Sequence, residues 1–197
     1  MKYATISLLA FLIITNANAE DKKSMIGPYI SVKATTSNIN LMSEKSGIAF
    51  DCGAMYFIRF ENLDDFGVIF NGAYSRYSYQ RKMGFYLYEN ATVDYGYQYL
   101  KFGVAFDFFN IFAGADVCTP LSSSVDFNGF PASVEPQVRK DIKKPETSLT
   151  IEPKIGYILP VYKSEKGTFY IFGFASYILE KEQMLSINFG ISYLFGM

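Results

Sequence analysis

The sequence feature that most constrains the fold is a strict alternation of apolar residues over residues 185–195. Every second position of this stretch is apolar, namely Leu185, Ile187, Phe189, Ile191, Tyr193 and Phe195. The residues between them are small or polar as far as Ser192. A period of two places successive side chains on opposite faces of a β-strand. The pattern therefore predicts a strand with one apolar face, which we interpret as the closing strand of a β-barrel.

Seven further segments are predicted to be strands, and turn-like sequence separates them. Most of them alternate in the same way, whereas residues 168–179 are apolar on both faces near their middle. The eight predicted strands are residues 27–35, 47–60, 66–79, 92–106, 111–121, 148–159, 168–179 and 185–195. Strands of about 9–11 residues or more can cross a bilayer when they are tilted, whereas a spanning helix needs about 20 apolar residues. We predict an all-β fold, an eight-stranded antiparallel up-and-down transmembrane β-barrel that occupies residues 27–197.

Three places in this pattern are irregular. Tyr95, Tyr97 and Tyr99 alternate out of phase with the apolar residues that follow them, so either they point into the barrel or a β-bulge shifts the register. Pro153 removes a ladder hydrogen bond and predicts a bulge or a distortion in the sixth strand. Residues 122–147 are predicted to form the longest loop, and residues 161–167 a turn.

The first 19 residues have the three parts of a secretory signal peptide. Lys2 precedes an apolar run at residues 6–14, and Ala17-Asn18-Ala19 forms a cleavage site before Glu20. A membrane anchor is the alternative, but a helix of this length is too short to span the hydrocarbon core of about 30 Å. We predict cleavage after residue 19, followed by a lead segment at residues 20–26.

Charged residues in the centres of the predicted strands all lie on the side opposite the large apolar residues. They are Lys33, Asp51, Arg59, Lys101, Asp116, Glu152 and Lys154. A lysine or arginine that faces lipid at the bilayer midplane costs about 2–4 kcal/mol. We therefore predict that these side chains fill a polar, salt-bridged interior, because eight strands leave a bore that side chains can just fill. The alternative is that they line a narrow path for small solutes.

Composition excludes several functions. The chain contains no histidine, so catalysis by a histidine base is impossible, and we predict that the protein is not an enzyme. The formal net charge of −1 does not suit nucleic-acid binding, and no residues have the spacing of a metal or cofactor site. Cys52 and Cys118 fall on different faces of their strands, so two free thiols are predicted in preference to a disulfide.

The chain resembles the small eight-stranded outer-membrane β-barrel family of the OmpA/OmpX type. The resemblance rests on the signal peptide, on the hairpin over residues 99–115 and on the closing strand. It implies a location in the outer membrane of a Gram-negative-type bacterium and contact with outer-membrane lipid. It also implies that Phe189, Tyr193 and Phe195 form the assembly signal read by the barrel-assembly machinery, although Phe195 is third from the end.

Two functions of different classes fit these features. The first is a porin-like or structural surface barrel whose long loops, chiefly residues 122–147, meet a surface partner. The second is a soluble, secreted barrel of the lipocalin kind, in which the apolar face would point inward to hold an apolar ligand. The sequence identifies neither the partner nor the ligand.

Overall fold

A computed structural model describes residues 22–37, 44–60, 66–82, 91–131, 135–136, 140, 142, 144–179 and 183–196. The predicted signal peptide and the turn at residues 61–65 lie outside these ranges. The strands are β1 Lys22–Ser37, β2 Glu44–Ser46, β3 Ala49–Phe60, β4 Phe66–Lys82, β5 Thr92–Phe108, β6 Ile111–Asn128, β7 Thr150–Ser164, β8 Gly167–Ile178 and β9 Met184–Gly196. In the described part of the chain, no helix has the length and hydropathy needed to cross a membrane.

Eight long antiparallel strands form a closed barrel, and the three-residue β2 adds to its rim beside β4. Each long strand pairs with the next along the chain, and β1 pairs with β9 to close the ring. The predicted all-β class, the strand number and the pairing of the last strand with the first are confirmed. β1 begins at Lys22, five residues before the predicted strand.

The strands are staggered as in other closed barrels. The stagger is found by starting at Gly72 and moving from each residue to its partner on the next strand. Through β5, β6 and β7 this path arrives at Leu179, just after β8. In the other direction, through β3, β1 and β9, it arrives at Phe169 on β8. The stagger around the barrel is therefore ten residues, from 169 to 179. Barrels of this kind have strands tilted by about 35–45° from the axis.

The two ends of the barrel differ in their connections. At one end the connections are residues 61–65, Phe109-Asn110 and Glu165-Lys166, and we name this the short-turn end. The opposite end, named the long-loop end, carries the connections at residues 38–48, 83–91, 129–149 and 179–183. Phe109 and Asn110 have positive φ angles of 53° and 67°, as a tight two-residue hairpin turn requires.

The prediction for the fifth strand was too short. β6 continues to Asn128, so residues 122–128 are strand rather than loop. Leu121 is an extra residue in β6, because Tyr99 pairs with Pro120 and Gln98 pairs with Ser122. This β-bulge shifts the alternation by one residue, and a run of serines then hides the strand pattern. Tyr95, Tyr97 and Tyr99 point into the barrel, since β5 pairs with β4 in an unbroken register.

The predicted bulge at Pro153 was wrong. Pro153 pairs in regular register with Ala115 on β6. The Ile151 carbonyl accepts a hydrogen bond of 3.1 Å from the Leu179 amide, so the backbone polar groups of Ile151, and of Pro153 two residues later, face β8. The missing amide hydrogen therefore falls on the β8 side, next to the regular β7–β8 pairs, which start at Lys154 and Ser176. The irregularity in β7 lies at Val161, and the predicted turn over residues 161–167 shrinks to residues 165–166.

Candidate functional site in the barrel interior and at the long-loop end

The middle of the barrel interior holds a cluster of six charged side chains, which we name the charge layer. Its members are Lys33 on β1, Asp51 on β3, Lys101 on β5, Asp116 on β6, and Glu152 and Lys154 on β7. Each occupies an inward position of its strand, and at most 7% of each side chain is exposed. Three cations face three anions, so the layer is electrically balanced.

Lys101 lies at the centre of the charge layer. Its ammonium group forms an ion pair with Glu152 and lies 3.6 Å from Asp51 Oδ2 and 3.7 Å from Asp116 Oδ2. The three carboxylates come from three different strands, so this one cation connects β3, β6 and β7 to β5. Buried charges are stable only when they are paired in this way, since each loses its hydration.

Lys33 and Lys154 complete the layer on either side. Lys33 Nζ donates to Asp51 Oδ1 at 2.6 Å and to Ser75 Oγ at 2.7 Å. It also lies 3.6 Å from the centre of the Tyr77 ring, within the range of a cation–π interaction. Lys154 Nζ donates to Asp116 Oδ1 and, at 2.7 Å, to Asn71 Oδ1.

Sequence reasoning did not identify the polar residues of β4 as members of this network. Asn71 Nδ2 donates to Asp116 Oδ1 at 3.1 Å, and the Tyr77 hydroxyl donates to Glu152 Oε2 at 2.7 Å. Asn71, Ser75 and Tyr77 share the inward side of β4 with Ala73. Their common parity was the available signal, but their uncharged side chains gave no reason to select them.

Gly103 on β5 provides the space that the Asp116 side chain occupies. A Cβ atom at position 103 would lie only 1.6 Å from Asp116 Oδ1 and 2.9 Å from the Ala115 carbonyl oxygen. The two residues are cross-strand partners, so the carboxylate extends directly over the glycine towards Lys101 and Lys154.

Gly103→Ala is therefore expected to displace Asp116 and lower the free energy of unfolding by about 1–3 kcal/mol, as overpacking of interiors does. Urea titration of the protein in lipid vesicles measures the change. Gly72→Ala is the matched control, because its Cβ would lie 3.4 Å from the Phe102 ring, which is ordinary contact. Equal stability losses in the two variants would contradict this role of Gly103.

A second polar group lies towards the short-turn end. Arg59 Nη2 donates to Asp107 Oδ2 and to Asn110 Oδ1, both at 3.3 Å. Of the seven charged residues predicted to lie inside the barrel, Arg59 is therefore the one outside the charge layer. Its partner Asp107 was not predicted. This pair ties β3 to the turn between β5 and β6.

Aromatic and apolar side chains fill much of the remaining interior. An apolar cluster packs against the charge layer on the side of the short-turn end and includes Phe57, Ile69, Phe112, Ile158, Tyr170, Phe172 and Leu194. A tyrosine-rich cluster packs on the side of the long-loop end and includes Tyr77, Tyr79, Tyr95, Tyr97 and Tyr99. The interior therefore combines charged side chains at its middle level with apolar and aromatic filling on both sides of them.

A small cavity lies between the charge layer and the apolar cluster. Its volume is about 30 Å³, and its lining includes Asp51, Asn71 and Lys154 as well as Ile69 and Phe172. A space of this size holds one or two water molecules. The rings of Phe57 and Tyr170, with centres 6.0 Å apart, continue the packing below it.

The outer surface carries the large apolar side chains. Exposed examples occur on β1, β5, β6, β7, β8 and β9, including Val32 and Phe189, each 65% exposed. In the described strands, charged residues on the outer face lie beyond this apolar band, for example Arg76 and Lys163. This orientation is the reverse of the one that a lipocalin-like barrel would need.

The residues predicted to carry the assembly signal lie on β9. Phe189 and Phe195 are exposed on the outer face, and Tyr193 is half-buried there with its ring centre 4.9 Å from that of Phe195. The Tyr193 hydroxyl lies 3.2 Å from Ser164 Oγ near the short-turn end. Cys52 is exposed on the outer face and Cys118 is buried in the interior, so the two thiols lie on different faces of the barrel wall, as predicted, and they are not bonded to each other.

β4, β5 and β6 project beyond the other strands at the long-loop end. β7 pairs with β6 only up to Cys118, so ten residues of β6 extend past it, about 30 Å along the strand. The outer face of this projection is polar, with Arg76, Ser78, Gln80, Lys82, Thr92, Asp94, Gln98, Ser124, Asp126 and Asn128. Asp94 accepts hydrogen bonds of 2.8 Å from both Gln80 and Asn128 across the three strands.

No known protein family and no curated protein matches the sequence. Solved structures similar to the chain include Ail, the attachment invasion locus protein of Yersinia pestis, at 14% identity and a TM-score of 0.45, covering 89% of this chain and 99% of Ail. Neisserial surface protein A is 14% identical with a TM-score of 0.43, covering 86% of this chain and 96% of that protein. The outer membrane protein OprG of Pseudomonas aeruginosa is 11% identical with a TM-score of 0.36, covering 89% and 94%.

The strand pairing by itself defines the class of fold. A closed ring of eight long antiparallel strands surrounds charged side chains, and apolar side chains cover the outside. This is the architecture of the small eight-stranded membrane barrels that the sequence resembles.

Proposed function

We propose that this chain is an integral outer-membrane β-barrel protein with a structural and surface-interaction role. The observation that carries the proposal is the division of its side chains, with the charged groups paired inside and the apolar groups exposed outside. Water would penalise such an exterior, because soluble monomers rarely expose a continuous apolar surface. Hydrocarbon, in contrast, would favour it.

The orientation of the barrel follows from its connections. In outer-membrane barrels the short turns face the periplasm and the long loops face the exterior. The projection of β4, β5 and β6 and the long-loop end of the barrel therefore face outward from the cell. The exposed aromatic residues at the end of β9 lie at the periplasmic end, where the barrel-assembly machinery would contact them during insertion.

The function we propose is binding, not catalysis or passage of solutes. The aromatic and apolar clusters on both sides of the charge layer act as a plug, and the paired charges hold the strands together. The contact site for a partner is the long-loop end, because a polar sheet face and the longest connection of the chain meet there. Barrel insertion is tested by heat-modifiable migration of the protein from an outer-membrane fraction; recovery in the soluble periplasmic fraction would contradict it.

Replacement of residues 130–148 by a short turn is expected to leave the barrel inserted and to abolish surface binding. The strands on both sides of this connection pair in the barrel wall without it, since β6 pairs with β7 over Ile111 to Cys118. The measurement is adhesion of cells that display the protein to wells coated with extracellular matrix. The matched control replaces Glu165-Lys166 by Asn-Gly at the opposite end. Adhesion that survives the loop replacement would show that this connection is not the contact site.

A further inference from the structure

The outer surface of the barrel is furrowed along β8. A groove of about 720 Å³ has Gly173 and Ala175 at its floor, and Ile171 lies at one end of it. At the other end it shares Ile155 and Ala175 with a groove of about 280 Å³ that reaches Tyr177. We name the continuous groove the β8 furrow.

The walls of the β8 furrow are apolar side chains of the neighbouring strands. Ile155 and Leu159 on β7 form one wall, and Ile187 and Phe189 on β9 form the other. These wall residues are 49–65% exposed. The Phe189 ring leans over Gly173, where an added Cβ would lie 3.3 Å from two ring carbons. Small residues on the middle strand and large residues on both sides thus produce the depression.

The geometry points to a single acyl chain of an outer-leaflet lipid as the occupant of the β8 furrow. We propose this lipid site as an extension of the membrane location proposed above, on which it rests. The furrow extends from Ile171 to Tyr177, which is about 20 Å along the strand. With a strand tilt of about 35–45°, it covers about 15 Å of membrane depth, the thickness of one leaflet in a core of about 30 Å.

The position and the width of the furrow support the same occupant. Its upper end reaches Tyr177, whose hydroxyl donates to Gln183 at the long-loop end, as tyrosines do where hydrocarbon meets the polar headgroups. Its walls are two strand spacings apart, about 10 Å between backbones. The wall side chains narrow this width further, so one hydrocarbon chain enters, whereas the convex wall of a second barrel does not.

The proposal is tested by native mass spectrometry of the full chain released from saturated phosphatidylcholine vesicles. The wild-type protein is expected to retain one phospholipid. Ala175→Phe fills the furrow and should lower the retained fraction about tenfold, because the acyl chain loses on the order of ten carbon–carbon contacts with the furrow. Ile155→Ala removes part of a wall without adding bulk and should also lower it. Ala54→Phe is the matched control, because Ala54 is exposed on the outer face of β3, where its cross-strand partners Pro28 and Gly72 do not line the furrow, and it should retain the lipid.

Each alternative result has a definite meaning. A wild-type protein that inserts but retains no lipid overturns the furrow site alone, as does equal retention by Ala175→Phe. A doubled protein mass that Ala175→Phe abolishes would identify a second copy as the occupant and overturn the proposal. Failure of the wild-type protein to insert, seen as absence of heat-modifiable migration, overturns the proposed function and the lipid site with it.

Discussion

Replacement of Lys101 by methionine is expected to lower the free energy of unfolding by about 3–5 kcal/mol, the cost of removing one partner from a buried ion pair. Methionine keeps most of the volume of the side chain but removes the charge. Lys101 is the cation that contacts Asp51, Asp116 and Glu152 together. Lys33 and Lys154 still pair with the two aspartates, so Glu152 becomes a buried anion without its ion-pair partner.

Urea titration in lipid vesicles, followed by heat-modifiable migration, measures the loss in Lys101→Met. Lys163→Met is the matched control, because Lys163 is exposed on β7, and it should change the stability by no more than about 0.5 kcal/mol. The double variant Lys101→Met with Glu152→Gln removes one charge of each sign and should recover part of the loss. A loss below about 1 kcal/mol in the single variant, or no recovery in the double variant, would show that the charge layer is not coupled in this way.

Val117→Arg is expected to destabilise the inserted barrel by about 2–4 kcal/mol, the cost of an arginine that faces lipid near the bilayer midplane. Val117 is 46% exposed on the outer face of β6, near the middle of the apolar band. In a soluble barrel the same arginine would meet water and cost almost nothing, so the result separates the two environments.

Ser124→Arg is the matched control on the same strand. Ser124 is exposed on the polar outer face of the projection, past the end of the apolar band, and the substitution should stay within about 0.5 kcal/mol of wild type. Urea titration in vesicles and in detergent micelles measures both variants. Two equally stable variants would contradict the placement of β6 in lipid and therefore the proposed membrane location.

The sequence predicted most of the barrel wall because the required information is local. Alternation within one strand assigns each side chain to the inside or the outside, and it placed Lys33 and Asp51 inward and Phe189 outward as the structure has them. The predictions were wrong where one residue breaks the period. Leu121 shifts the alternation of β6, and Val161 does the same near the end of β7, so the strand beyond each bulge was taken for loop or turn.

The pairing of the charges could not be predicted from the sequence. Tyr77 and Glu152 are 75 positions apart, and Lys154 and Asn71 are 83 positions apart, yet each pair is joined by a hydrogen bond of 2.7 Å. Which inward residues meet depends on the ten-residue stagger of the closed ring. The residues of one strand do not determine that stagger.

The amino-acid sequence by itself determined that this chain forms strands, which face of each strand is apolar, and that the last strand can close a barrel. These properties follow from the period of two, which is set by the geometry of one extended segment. Only the tertiary structure decided the separation of the interior into charged and aromatic levels, the projection of β4, β5 and β6, and the furrow along β8. Each of these depends on the relative height of side chains on different strands, which closure of the ring fixes.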